Sequence, residues 1–248
     1  MPSQPEKGGY EHFMLKEIHE QPKAVQDTLG AYIKDGAIDV FGSRSDRRAT
    51  QKALRGSMLR HADRRIMSEL SGKYVTESLA GIPAEVDLAS EFRYRNPILA
   101  PNSALIVVSQ SGETADSLAA LRLAKEKGIP VIGIVNVVGS SIARESDHVL
   151  YTYAGPEISV ATTKAYSAQL AAMYLLAVQM AKVKGRIDEK RHGELLEELC
   201  RIPDKIQKAL DDKERIQWFA SKYANAKDVV FYRARHRLCN QSGRKPQD

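Results

Sequence analysis

The chain has 248 residues, 43% hydrophobic and 27% charged, with a formal net charge of +6, which is enough to bury one large core. No run reaches the ~18 consecutive apolar residues of a membrane span; the nearest, 168–181, holds Gln169 and Gln179 and reads as a buried helix. The opening residues lack an apolar signal core, and Cys200 and Cys239 have neither metal-ligand spacing nor a disulfide framework, so the sequence reads as a soluble cytoplasmic protein without a metal site.

In chain order, "FMLKEIHEQPKAVQDTLGAYI" (13–33) predicts two helices broken near Pro22, because proline disfavours helix in the residue before it. Residues 44–65 carry eight Lys/Arg against two Asp. A second basic segment, 232–248, has five against one, and the rest of the chain is net negative. Neither segment interleaves aromatics with its charges as a single-strand nucleic-acid binder does, so both read as solvated basic stretches and nucleic acid is not an expected partner. Residues 72–80 predict a helix that stops at Gly81 and Pro83. "AEVDLA" alternates like a strand, and "SEFRYR" reads as a short helix with Ser90 as its cap. "ALIVVS" (104–109) is the continuous apolar run of a parallel strand covered on both faces. A helix over 114–127, a strand "PVIGIVN", a short helix over 140–145, a strand "HVLYTY" and a long helix over 162–184 follow. Residues 188–224 read as further helices, and "DVVFY" (228–232) as one more strand. Strand–helix alternation with short connections predicts an α/β fold, a right-handed doubly wound parallel sheet.

In such a sheet, ligands bind at the carboxyl ends of the strands. The helix starting near Thr114 aims its free amides and positive dipole end at the turn Ser109–Gln110–Ser111–Gly112–Glu113. Ser109, Ser111 and Thr114 add hydroxyls, and Gly112 allows close backbone approach. A phosphate cradle without lysine suits a sugar monophosphate better than a nucleoside triphosphate. The same residues also suit a serine-rich helix start with no ligand, and the spacing does not separate the two readings. Ser140 and Ser141 in "GSSIARESD" read as a helix cap.

"SQSGETADSLAALRLAKEKG", "NVVGSSIARESDHVLYTYAGPEISVATTKAYSAQL", "GKYVTESLAGIPAEVDLASEFRYRNPIL" and "GGYEHFMLKEIHEQPKAVQDTL" together resemble the glutamine:fructose-6-phosphate aminotransferases. The resemblance covers about residues 8–40 and 72–231. In that family a glutaminase domain releases ammonia, and two sugar isomerase (SIS) domains convert it with fructose 6-phosphate to glucosamine 6-phosphate. The resemblance implies a flavodoxin-like SIS sheet, a sugar phosphate ligand, no metal or organic cofactor, no membrane or nucleic acid, and a homodimer. Carried over by motif, Ser109, Gln110, Ser111 and Thr114 match the phosphate-binding loop. Val160 and Thr162 match sugar-contacting positions, with Thr162 where serine is commoner. Glu157 and Lys164 share that stretch; Lys164 reads equally as an exposed helix-start lysine.

The implied organisation is a linker with entry helices over 1–35, an aberrant segment over 36–71, the first SIS core over 72–186, helices and a strand leading into a second SIS domain over 187–231, and an aberrant tail over 232–248. Where the family has a strand ending in a Cys-Gly-Thr/Ser loop, this chain reads "SMLRHADRRIMSELSGKYV". The tail "DVVFYRARHRLCNQSGRKPQD" replaces the family's glycine turn and the helix beyond it, which lead to its proton-transfer and ring-opening residues. Both departures are expected from shifted reading frames: back-translated and read out of phase, each segment yields family-like text. Buried unpaired arginine costs several kcal/mol, so residues 41–70 are expected to form a surface helix or no ordered structure, and the sheet to lose an inner strand. The chain is expected to bind sugar phosphate weakly and not to turn it over. The alternative is a non-catalytic SIS module that senses a phosphosugar.

Overall fold

The structure, a computed structural model, describes residues 6–40, 58–63 and 66–227, with the main chain alone at 58–63, 66 and 67. The strand expected over 228–232, the basic tail and most of the basic segment over 44–65 lie outside the described residues. The chain divides into two compact units that part between Leu210 and Asp211.

Helices α1 (Phe13–His19) and α2 (Gln21–Tyr32) are separated at Glu20. Pro22 stands in the first turn of α2, where its missing N–H removes no helical bond. A short antiparallel pair, β1 (Ile33–Lys34) and β2 (Ala37–Ile38), follows. Strand β3 is Met58–Asp63, and α3 (Ile66–Val75) runs into a π-helical turn, Thr76–Ala80. That turn ends at Gly81, whose φ of +62° is the left-handed cap conformation that glycine adopts without strain. Then come β4 (Ala84–Leu88), α4 (Ala89–Tyr94), β5 (Ser103–Ser109), α5 (Ala115–Glu126), β6 (Val131–Val135), α6 (Ser141–Glu145), β7 (His148–Tyr151) and α7 (Lys164–Val183). Helices α8 (Glu189–Cys200) and α9 (Ile202–Asp211) complete the first unit; α10 (Lys213–Tyr223) lies in the second. Ser90 does not cap α4: the helix begins at Ala89 with Leu88 as its N-cap, so Ser90 sits inside the first turn. Among the described residues, no helix is long and apolar enough to cross a membrane.

The five strands of the main sheet are parallel in the order β4-β3-β5-β6-β7. Counted by chain order within the sheet this is 2-1-3-4-5, the flavodoxin-like doubly wound topology. The inner strand is therefore not lost. Met58–Asp63 sits between β4 and β5, with Leu59 opposite both Ala84 and Ala104. A gap between two parallel strands presents main-chain donors and acceptors on both sides, and any extended segment without proline can fill them. The arginine cost that predicted a surface helix concerns side chains alone.

Strand period sorts the core into two layers. Ala104, Ile106 and Val108 of β5, with Ile132 and Ile134 of β6, face a layer that includes Val25 and Leu29 of α2 and Leu175 and Leu176 of α7. Leu105, Val107, Val131 and Val135 face the opposite layer, with Phe92 of α4, Leu121 of α5 and Ile142 of α6. All seven residues of β5 are buried.

The edge strand β7 is covered by α2. The Tyr151 amide donates to Tyr32 Oη at 2.5 Å, Tyr32 Oη donates to the Tyr151 carbonyl at 3.1 Å, and Thr28 Oγ1 donates to the Thr152 carbonyl. Tyr32 thus supplies the pairing a further strand would have given, and this shields the edge. Burial holds its phenol above the ordinary tyrosine range, so it stays a donor. Tyr32→Phe should lower the unfolding free energy by about 1–3 kcal/mol, the cost of leaving main-chain groups unpaired; denaturant unfolding checks this, and an unchanged midpoint would refute the role.

Candidate functional site

Strand β5 ends at Ser109, and the turn to α5 lies where strand order reverses, between β3 and β5. Open α/β sheets form their ligand crevice at this point. Ser109 Oγ accepts the Gly112 amide at 3.0 Å and lies 3.0 Å from Thr114 Oγ1. Ser111 Oγ accepts the Glu113 amide at 3.2 Å, which leaves its proton to donate outward. Thr114 is the N-cap of α5, yet its side chain makes no capping hydrogen bond. The first-turn amides have no intrahelical acceptor, and the 12-residue helix adds its dipole. Gln110 is half-buried, and its Oε1 is enclosed without a hydrogen-bond partner.

Charges around the turn are directed away from it. Asp116, in the first turn of α5, pairs with Arg93 at 3.0 Å. Glu113 Oε1 accepts the Ser141 amide at 2.7 Å. Hydrogen bonds from the Ser141 side chain and amide, together with the Arg144 charge, hold the Glu113 carboxyl below the ordinary range. The Ile142 amide donates to the Gly112 carbonyl at 3.0 Å, so the start of α6 is bound to the turn through both residues. Ser140 is the N-cap residue of α6, but its Oγ is buried and makes no capping bond; it packs where a Cβ on Gly112 would stand.

The second group of predicted residues follows β7. Asn136, at the end of β6, links the two groups. Its amide donates to the Gln110 carbonyl at 3.3 Å, its Oδ1 accepts the Ala154 amide at 2.7 Å and Thr152 Oγ1 at 3.1 Å, and its Nδ2 donates to the Gly155 carbonyl at 2.8 Å. Val160 is 95% exposed and Thr162 half-buried. Glu157 Oε1 accepts the Thr163 amide at 2.8 Å and the Ala165 amide at 3.4 Å, which caps α7 from within the protein. Lys164 is not an exposed helix-start lysine: it is buried, with Nζ 2.6 Å from Glu20 Oε2.

Sequence reasoning missed Asn136, although a polar residue closing the apolar run of β6 at its carboxyl end was a usable signal. It also missed Glu17 of α1 and Glu20 between α1 and α2, whose partners lie more than 140 residues away. Among the described residues, no three His, Cys, Asp or Glu side chains converge as metal ligands would.

Comparison with known proteins places this geometry. The model of the SIS domain family matches residues 70–179. The chain is 53% identical over 227 residues to the isomerizing glutamine–fructose-6-phosphate aminotransferase of Caldanaerobacter subterraneus, and 51% identical over 232 residues to that of Clostridium tetani. These matches cover 91% of the chain but 37% of either relative, so the chain spans little more than a third of their length. In three dimensions it resembles the C-terminal domain of glucosamine-fructose-6-phosphate aminotransferase from Francisella tularensis, with a TM-score of 0.84 and 35% identity, over 90% of this chain and 62% of that one. The parallel sheet is thus the fold expected from the SIS likeness, with the inner strand present.

Gly112 tests how tightly the SIS-domain turn is built. Its φ is +68°, and a Cβ there would overlap Ser140 Oγ. Gly112→Ala should cost about 1–2 kcal/mol from the left-handed backbone alone, and more from the overlap. Ser140→Gly should return only the overlap part, a coupling that a double-mutant cycle of unfolding free energies reads directly; strict additivity would refute the contact.

Proposed function

We propose that this chain is the sugar-phosphate-binding isomerase portion of an aminotransferase that makes glucosamine 6-phosphate from fructose 6-phosphate for amino-sugar biosynthesis. The observation that carries the reading is the uncapped start of α5, flanked by the hydroxyls of Ser109, Ser111 and Thr114. Gln110 completes the phosphate cradle, and Val160 and Thr162 meet the sugar body. Glu157 stands behind them as the cap of α7. Electrostatics orients the ligand. The α7 N-terminus is already occupied by the Glu157 carboxylate, so a phosphate belongs at α5 and the neutral, hydroxyl-bearing end of the sugar toward 157–162.

On this reading the described residues hold substrate, and the chain alone forms no product. In the intact reaction an amine opens the sugar as an imine at C2, ammonia replaces it, and a carboxylate moves a proton between C1 and C2. Residues 187–231 are proposed as the approach to a second SIS domain, a reading supported by α10, where Ile216, Trp218, Phe219 and Tyr223 are each at least 45% exposed. A homodimer and a cytoplasmic location are proposed on the family likeness, and sedimentation of the purified chain tests the dimer. Segments 36–71 and 232–248 are proposed to be frame-shifted text; an unbroken frame in the resequenced coding DNA, with no family sequence in the alternative frames, overturns this.

Calorimetric titration tests the site. Fructose 6-phosphate should bind and free fructose should not. Ser111→Ala and Thr114→Val should each weaken binding by about tenfold or more, since a hydrogen bond to a charged group contributes roughly 1.5–3 kcal/mol. Unchanged affinity in both variants would overturn the assignment. Binding without turnover in a chain of the relatives' full length would point instead to a phosphosugar sensor.

A further inference from the structure

We infer that Glu17 of α1 is a positioning residue for the sugar end of the site, so that the ligand-binding unit begins upstream of the SIS match at residues 70–179. This rests on the binding mode proposed above. Glu17 is 2% exposed although it carries a carboxylate on a short helix outside the sheet. Its Oε1 accepts the Ile158 amide at 2.5 Å and the Ser159 amide at 3.1 Å, and its Oε2 accepts Ser159 Oγ. Burial pushes the Glu17 carboxyl up, but the Ser159 hydroxyl, the two amides and the Lys164 charge outweigh it and hold the group below the ordinary range. The carboxylate is therefore ionised and engaged through both oxygens at neutral pH.

The contact has a geometric consequence. With its amides at 158 and 159 turned toward α1, the loop presents its opposite side outward, where Val160 stands almost fully exposed. A second anchor lies just past the end of α1, where Glu20 Oε2 meets the buried Lys164 ammonium at 2.6 Å. A third ties Ser167 Oγ to Gln21 at 2.6 Å. The loop carrying Val160 and Thr162 is thus held from outside the sheet at Ile158–Ser159, and at its far end by Glu157 on α7. The Ser109 turn has its own supports, from α6 and Asn136, and does not depend on Glu17.

That separation supplies the test. Glu17→Gln, measured on the purified chain, should weaken fructose 6-phosphate binding by about tenfold. Its affinity for inorganic phosphate, which needs only the Ser109 turn, should stay within about twofold. Hydrogen exchange at the Ile158 and Ser159 amides should quicken in the same variant. Glu17→Asp, which keeps the charge but withdraws the oxygens by one methylene, should lose nearly as much, since position and not charge is at issue. If Glu17→Gln does not fold, Ser159→Ala removes one donor and should still cost about threefold for the sugar phosphate alone. Equal loss for sugar phosphate and phosphate would make Glu17 a purely structural residue and overturn the inference, as would unchanged binding of both. Failure of the unaltered chain to bind fructose 6-phosphate would instead remove the underlying binding mode, and this role with it.

Discussion

Glu157 places its carboxylate on the amides of Thr163 and Ala165, while Glu17 takes those of Ile158 and Ser159. The start of α5, on the other side of β6, has no capping side chain. These facts set up a polarity across the carboxyl ends of the sheet. At one end the N-cap side chain makes no bond to the helix amides; at the other, the main-chain donors are bound to protein carboxylates. A free anion gains from helix amides only where they remain unpaired. A ligand with one charged and one neutral end would therefore have a preferred direction before any contact with its sugar hydroxyls is counted.

The supports of the Ser109 turn share a design. Gly112 offers its carbonyl to α6 and leaves room for Ser140, Glu113 caps Ser141, and Asn136 receives the turn from β6. Each is an internal bond of the protein that leaves the outward hydroxyl of Ser111 unspent. Preorganisation of this kind matters because donors held in place lose little further entropy when a ligand arrives.

What the sequence disclosed follows from where the determining forces lie. "ALIVVS" announced a parallel strand covered on both faces, and "PVIGIVN" a strand, because both are apolar up to the polar residue that closes each. The 114–127 helix and the Gly81 stop were legible for equally local reasons. Strand β3 was not. Its place between β4 and β5 is set by main-chain pairing that its neighbours demand, and a side-chain reading of "MLRHAD" argues the other way. Ser90 misled because a serine near a helix start is a common cap, while the chain here turns helical two residues sooner. The hydroxyl turn could be found from its own residues. Glu17, Glu20 and the true environment of Lys164 could not, since their meaning resides in contacts across most of the chain.

Those long-range contacts also alter what counts as the domain. Thr28 and Tyr32 of α2 bind the main chain at Tyr151 and Thr152, Gln21 meets Ser167, Glu20 meets Lys164, and Glu17 meets Ser159. Their partners run from the outer edge of β7 through Ser159 in the loop that follows it to Lys164 and Ser167 in the first turns of α7. The entry helices thus act as the missing neighbour of the edge strand, and they shape the loop beyond it with the same surface. Edge protection and loop placement are consequently coupled. A displacement of α1 and α2 would expose the ladder groups of Tyr151 and release Ile158 and Ser159 together. A segment that reads as a linker in the sequence is, in three dimensions, bonded to the edge strand, to the loop that follows it and to the start of α7.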